Sequence, residues 1–134
     1  MRVRHDSTQA TYSERVLVRQ VEIQAIELLY TKFDGHTGVA RPQCANGKPL
    51  YCWEVTSIKA ATFLRAILPH LRIKKEQALN CLALRDVKEQ SKIARVAVGR
   101  GHVGASVRPV ELTQRMEALF QRAHELNRVG RGVI

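Results

Sequence analysis

Three cations lie within four positions of one another near the middle of the chain, namely Arg72, Lys74 and Lys75. They follow Pro69 and open a predicted helix, where positive side chains are unfavourable to the helix dipole. That local cost is easier to understand if an anion such as a phosphate binds at this corner. Lys74 is the leading single candidate for such a contact. The alternative, a solvated basic face, stays open on the sequence alone.

Two arginines are predicted on the exposed face of a strand. Residues 15–21 alternate in a way typical of a strand, with Val16 and Val18 facing the core. Arg15 and Arg19 then project from the opposite face. There they could contact phosphates or base edges, or simply be solvated strand residues.

The overall charge favours a polyanionic partner. The chain has 22 Lys+Arg against 12 Asp+Glu, a net charge of +10. Residues 1–67 carry nine cations and six anions, net +3, whereas residues 68–134 carry thirteen and six, net +7. Nucleic acid is favoured over an anionic membrane, because no basic amphipathic anchor with exposed aromatic residues is visible.

Neither a membrane protein nor a secreted one is expected. No apolar run is long enough to span a bilayer. The polar start of the chain lacks the apolar middle of a signal peptide. We therefore expect a cytoplasmic, intracellular protein.

Metal and cofactor sites are not predicted. Cys44, Cys52 and Cys81 have no paired spacing, so a disulfide framework and a structural zinc site are both disfavoured. Buried reduced thiols are expected for Cys52 in a strand and Cys81 in a helix. No histidine stands at metal-ligand spacing to another His or Cys. His70 could reach a phosphate from the proline corner, although packing against its own turn is favoured.

A glycine motif near the C-terminus matches the dinucleotide-binding string GxGxxG over residues 99–104. That reading requires a helix directly after the glycines and a returning parallel strand. Only 30 residues follow Gly104, and they predict a helix and a frayed tail. We interpret the match as accidental and the segment as a basic loop that orders on DNA.

The elements that must position these residues alternate between strand and helix. The spacing of apolar residues and of turn signals first predicts a strand over 15–21, a helix over 22–33 ending at Asp34-Gly35, and a strand over 36–43. A hairpin turn at Asn46-Gly47 then leads to a strand from Tyr51. Three helices are predicted after it: one with Ser57 as N-cap, a cationic one over 71–84 or to 89, and a last one from Pro109. This pattern predicts an α+β fold in which helices pack on a small, mainly antiparallel sheet, with a C-terminal helix. Four parts are expected: a flexible arm or short edge strand over 1–14, a core over 15–90, a basic loop over 91–108, and a C-terminal helix and tail over 109–134.

One stretch of the core resembles a known family. Trp53-Glu54-Val55, a short helix and the string ILPHLRIKKEQA (residues 67–78) are similar to the second half of a LAGLIDADG homing endonuclease domain. Phe33-Asp34-Gly35 resembles the Phe-Gly-Gly at the end of a family helix. The likeness covers residues 15–90 and, more loosely, 109–128. It implies a half-LAGLIDADG sheet that sits as a saddle on DNA.

The resemblance also implies contact residues. Arg15, Arg19, Arg41 and Lys48 are the candidates on the saddle, and Lys74 aligns with a basic residue that borders the family's cleavage site. The signature helix that carries the metal-binding acid is not seen before Arg15, since the first fourteen residues are too few and too polar. Asp34 matches the Phe-Gly-Gly position, not the acid. The implied function is binding of double-stranded DNA by a phage or mobile-element protein that lacks its own cleavage centre, with no cofactor.

Two other functions stay open. The first is an active endonuclease that uses Mg²⁺ and works as a homodimer, or with a separate subunit that supplies the acid helix. The second is a small phage accessory inhibitor or regulator that binds a host protein or a protein–RNA complex. The sequence does not distinguish DNA from RNA as the nucleic acid.

Overall fold

The computed structural model describes residues 1–5, 10–40, 47–98 and 110–129. Its elements in chain order are β1 (Arg2–His5), β2 (Ala10–Ser13), β3 (Arg15–Gln20), α1 (Ile23–Phe33), β4 (His36–Ala40), β5 (Leu50–Thr56), α2 (Ser57–Ile67), a 3₁₀ turn (Leu68–His70), α3 (Lys75–Val98) and α4 (Val110–Val129). Strands β1 and β2 form one antiparallel sheet, and β3, β5 and β4 form another in that spatial order. The predicted α+β fold with an antiparallel sheet and a C-terminal helix is confirmed.

The three-stranded sheet buries one face beneath α1 and α2. Val18 lies opposite Trp53 in the register of β3 and β5, and Trp53 is fully buried. Phe63 of α2 packs its ring edge-on against Trp53, with the ring centroids 4.8 Å apart. Val16 and Val18 pack against this core, as the alternation of β3 predicted. The other face of the sheet is therefore free to present Arg15 and Arg19.

A second core lies between the N-terminal hairpin and the two long helices. It is centred on the buried side chains of Tyr12, Leu84, Val87 and Met116. The Tyr12 hydroxyl donates a hydrogen bond to Glu117 of α4. Of the flexible arm and the short edge strand predicted for residues 1–14, the structure agrees in kind with the second, but it has two short strands, 2–5 and 10–13, that pair with each other. Their few apolar side chains are anchored by distant helices.

Helix α3 begins later and ends later than predicted. Pro69 leads into a 3₁₀ turn, and residues 72–74 form a bend, so the helix starts at Lys75 instead of Leu71. It then continues to Val98, through the first part of the predicted basic loop over 91–108. The rest of that loop, with the glycine motif at 99–104, lies outside the described residues.

The start of α2 is held by the backbone of a distant residue. Ser57 was predicted as the N-cap, but Thr56 occupies that position and makes no side-chain cap hydrogen bond. The Ser57 N–H instead donates to the carbonyl oxygen of Glu14 at 2.9 Å. Ser57 adopts a φ of +56°, in the left-handed region. A backbone carbonyl in the connection between β2 and β3 thus accepts the N–H of the first residue of α2, where a side-chain cap was expected.

The side chain of Glu14 ties the same connection to α3. Its carboxylate is completely buried, and Lys88 Nζ donates to Oε2 at 2.9 Å. Arg85 Nε lies 3.2 Å from Oε1. These two atoms are not aligned for a hydrogen bond, so their attraction is coulombic. An unpaired buried charge is costly, and the two cations offset that cost for Glu14. We call Glu14, Arg85 and Lys88 the structural ion cluster.

The link from α1 to β4 matches its predicted stop signal. Asp34 ends α1 at a φ of +59°, and Gly35 follows at +110°. The carbonyl oxygen of Asp34 accepts a hydrogen bond from Trp53 Nε1 at 2.7 Å, and its carboxylate accepts one from Lys59 of α2. This corner therefore joins both sheet-covering helices to the central strand.

Candidate nucleic-acid interface

The face of the three-stranded sheet opposite α1 and α2 presents alternate side chains of each strand. Pairing between the strands aligns Leu17 with Glu54 and His36 in one row across the sheet. Arg15 and Arg19 flank this row on β3, and both are exposed. The predicted arrangement of the two arginines on one open face is confirmed. We call this surface the open face.

Glu54 sits at the centre of the open face and was missed by sequence reasoning. Arg15 Nη2 donates to Glu54 Oε2 at 2.8 Å. That hydrogen bond holds the pKa of Glu54 below its ordinary value, and the charges of Arg15, Arg2 and His36 act in the same direction. The alternation of β5 contains the missing signal, since a buried Trp53 requires that Glu54 point outward.

The contact changes what Arg15 can do. The hydrogen bond to Glu54 also raises the pKa of Arg15, and it leaves the guanidinium partly neutralised and fixed in position. Arg19 makes no ion pair within the described residues. The open face therefore carries one anchored and one unpaired arginine on the same strand.

Titration of Glu54 gives a pH-dependent test of this pair. Its folded pKa is lowered, so the pair stabilises the fold above the unfolded pKa of about 4.3 and loses that effect as pH falls through the folded value. We expect Glu54→Gln to lower the free energy of unfolding by about 0.2–1 kcal/mol at pH 7. The difference from wild type should vanish in strong acid, as measured by urea denaturation across the pH range. A difference that persists at low pH would contradict the assignment.

The cations of the proline corner gather in one turn. Arg72 and Lys74 lie in the bend before α3, and Lys75 is the first residue of that helix. The Lys74 carbonyl accepts the Ala78 N–H at 3.1 Å, which places Lys74 directly before the first helical turn. We call residues 72–75 the cationic turn. Its three cationic side chains are exposed, and none makes an ion pair with another described residue.

The remaining predicted contacts are not joined to these two groups. Lys48 is exposed in the segment that leads into β5, two residues before the strand begins. Arg41 lies outside the described residues. His70 is exposed at the end of the 3₁₀ turn. Among the described residues, no hydrogen bond or ion pair connects the open face to the cationic turn.

The cysteines were predicted in part. Cys81 is buried in α3, and burial raises the pKa of its thiol, which favours the reduced, protonated form. Cys52 is only half-buried, because its position in β5 turns it toward the open face instead of the core. Cys44 lies outside the described residues.

The described parts of the chain lack both a metal-binding cluster and a membrane-spanning helix. Across residues 1–5, 10–40, 47–98 and 110–129, no group of three or more His, Cys, Asp or Glu side chains could hold a metal ion. In the same ranges, no helix combines the length and apolar character needed to cross a membrane.

Comparison with known proteins identifies no relative. No family model matches the sequence, and neither a curated protein nor a solved structure shows a significant match.

Proposed function

We propose that this protein binds double-stranded DNA through the open face and the cationic turn. The observation that carries the proposal is the cationic turn itself. Arg72, Lys74 and Lys75 are exposed there without ionic partners among the described residues, in a chain of net charge +10. Neutralisation of phosphates by such side chains supplies most of the affinity of a protein for DNA.

The spacing on the open face suits a duplex groove. Arg15 and Arg19 are four residues apart on one strand, a separation of about 13 Å at the usual rise of a strand. The major groove of DNA is about 12 Å wide, so the two backbone positions are separated by about the width of the groove. Glu54 lies between them and can accept a hydrogen bond from the exocyclic amine of cytosine.

The resemblance to homing endonucleases supports the same proposal. The order of strand, helix, hairpin, helix and proline corner is the order that the resemblance implies. In this proposal the domain derives from such an enzyme and binds DNA without cutting it. A supercoiled plasmid incubated with protein and Mg²⁺ or Mn²⁺ should then be bound but not nicked. A metal-dependent nick would favour the endonuclease alternative.

Neutralisation of the cationic turn is the main test. We expect the triple variant Arg72→Ala, Lys74→Ala and Lys75→Ala to bind a duplex more weakly than wild type. The slope of log K against log salt should fall in magnitude by up to about 2.7, because three phosphate contacts are lost at about 0.9 each. Fluorescence anisotropy with a labelled duplex over a range of salt concentrations measures both quantities.

A matched control removes the same charge elsewhere. Lys32, Arg65 and Arg128 are exposed in the last turns of α1, α2 and α4. Their combined replacement with alanine also lowers the net charge by three, but it leaves the cationic turn intact. We expect this control to retain most of the affinity. If both triple variants lose the same affinity, the effect is one of net charge and not of the cationic turn. If the variant without the three cations of the turn binds DNA as well as wild type does, the proposal is overturned.

A further inference from the structure

Among the side chains whose exposure the structure describes, the most exposed large hydrophobic one lies in the cationic turn. Ile73 is 92% exposed, whereas Val110, the next in order, is 69% exposed. It stands between Arg72 and Lys74 at the tip of the bend. An exposed isoleucine is common on a protein surface, but here it is flanked by three exposed cations that make no ion pair with another described residue.

The residues on both sides of the tip are anchored to the fold. On one side, Leu71 packs against the first core, and its N–H donates to the Leu68 carbonyl at 3.3 Å. On the other side, the Lys74 carbonyl accepts the N–H of Ala78, which is only 3% exposed. Ile73 is β-branched, so its own side chain has few rotamers to lose. The side chain is thus preorganised to enter a partner.

The surroundings of Ile73 point to the chemistry of that partner. Cations stand on both sides of it, and a polyanion satisfies them at the same time as it receives the apolar tip. A second copy that docked symmetrically through this turn would bring two cationic turns together, and they would repel. Proteins that bend DNA insert isoleucine, leucine or phenylalanine between base pairs and hold the neighbouring phosphates with cations.

We propose that Ile73 is a wedge that inserts between two base pairs of a DNA duplex and kinks it. Arg72, Lys74 and Lys75 bind the phosphates on either side of the opened step. The inference rests on the proposed DNA binding and adds a distortion of the duplex. Because pyrimidine–purine steps unstack most easily, the wedge favours a site with a TA step.

The test uses the full chain and a duplex of about 25 base pairs with a central TA step. A donor and an acceptor dye at its ends report bending, and a fluorescent base analogue at the step brightens when it unstacks. We expect wild type to increase both signals, with a kink of about 20–90°. Ile73→Ala should abolish both increases, while its affinity falls by no more than about tenfold and its salt slope is unchanged, because no charge is removed.

Controls separate the wedge from other causes. Ile73→Leu should restore the signals, since leucine also serves as a wedge. Ile58→Ala removes an isoleucine that is 58% exposed on α2 and should behave as wild type. If wild type binds the duplex without distorting it, or if Ile73→Ala distorts the duplex equally, the wedge is overturned and the proposed DNA binding stands. Failure of wild type to bind the duplex would overturn both, and Ile73-dependent binding to vesicles with anionic lipids would then assign the turn to a membrane surface.

Discussion

Replacement of Glu14 with alanine is expected to lower the free energy of unfolding by about 3–5 kcal/mol, because it leaves a buried guanidinium without its anion. Arg85 is only 4% exposed, and its remaining partner, Glu89, lies 3.5 Å away with half of its side chain in water. A small domain has about 5–15 kcal/mol of stability in total, so the variant should be close to unfolding at 37 °C. Denaturation by urea, followed by circular dichroism, measures the loss.

Two comparison variants test the cause of that loss. Glu89→Ala removes the exposed partner of Arg85 and should cost no more than about 1 kcal/mol. The double variant Glu14→Leu with Arg85→Met replaces the buried pair by apolar side chains of similar size and should recover most of the stability. Lys88 can extend its ammonium to water, since its side chain is partly exposed. A double variant as unstable as Glu14→Ala would show that the loss is not electrostatic.

Gly35→Ala is expected to be nearly as damaging, for reasons of shape. A Cβ at this position would lie 2.6 Å from the carbonyl oxygen of Glu54 and 2.7 Å from Val55 Cγ1. The obstruction is the backbone of the central strand, which cannot move aside without breaking the sheet. The φ of +110° adds a strain that alanine cannot relieve. Overpacking and backbone strain cost about 1–3 kcal/mol each, so we expect a loss of about 2–6 kcal/mol in thermal or chemical denaturation.

Gly38 provides the matched control in the strand that follows. A Cβ there would meet no atom within 4 Å, and its backbone is not in the left-handed region. Gly38→Ala should therefore change the free energy of unfolding by less than about 1 kcal/mol, and in the stabilising direction, because alanine loses less backbone entropy on folding than glycine. Similar losses at the two positions would contradict the close packing at Gly35.

Much of the three-stranded sheet could be predicted because its signals are local. The alternation of β3 gave the orientation of Val16 and Val18, and Asp34-Gly35 marked the end of α1. The N-terminal hairpin could not be predicted in the same way. Its anchor, Tyr12, is buried by residues of α3 and α4, and no local pattern records a contact made so far along the chain. The start of α3 was misplaced because the 3₁₀ turn and the bend after Pro69 delay the helix.

The sequence predicted the cations of the candidate site, but the anion beside them was missed. The grouping of Arg72, Lys74 and Lys75 follows directly from their adjacency. Glu54 of the open face was overlooked, as was Glu14 of the structural ion cluster, although the strand period places both. Tyr12, Glu14 and Val16 share one inward phase, which signals a buried carboxylate. A charged residue in an inward position is normally taken as the end of a strand, and only the partner on α3 explains why it is tolerated.

The docking of the N-terminal hairpin has a consequence for synthesis on the ribosome. Tyr12 and Glu117, which are joined by a hydrogen bond, are 105 residues apart, and Glu14 and Lys88 are 74 apart. Translation adds about 5–20 residues per second, so roughly 5–20 s pass between the synthesis of Tyr12 and that of Glu117. Strands β1 and β2 therefore wait for partners that are synthesised much later. During that interval the apolar side chains of β1 and β2 lack the helices that bury them, and transiently exposed apolar surface of this kind favours aggregation.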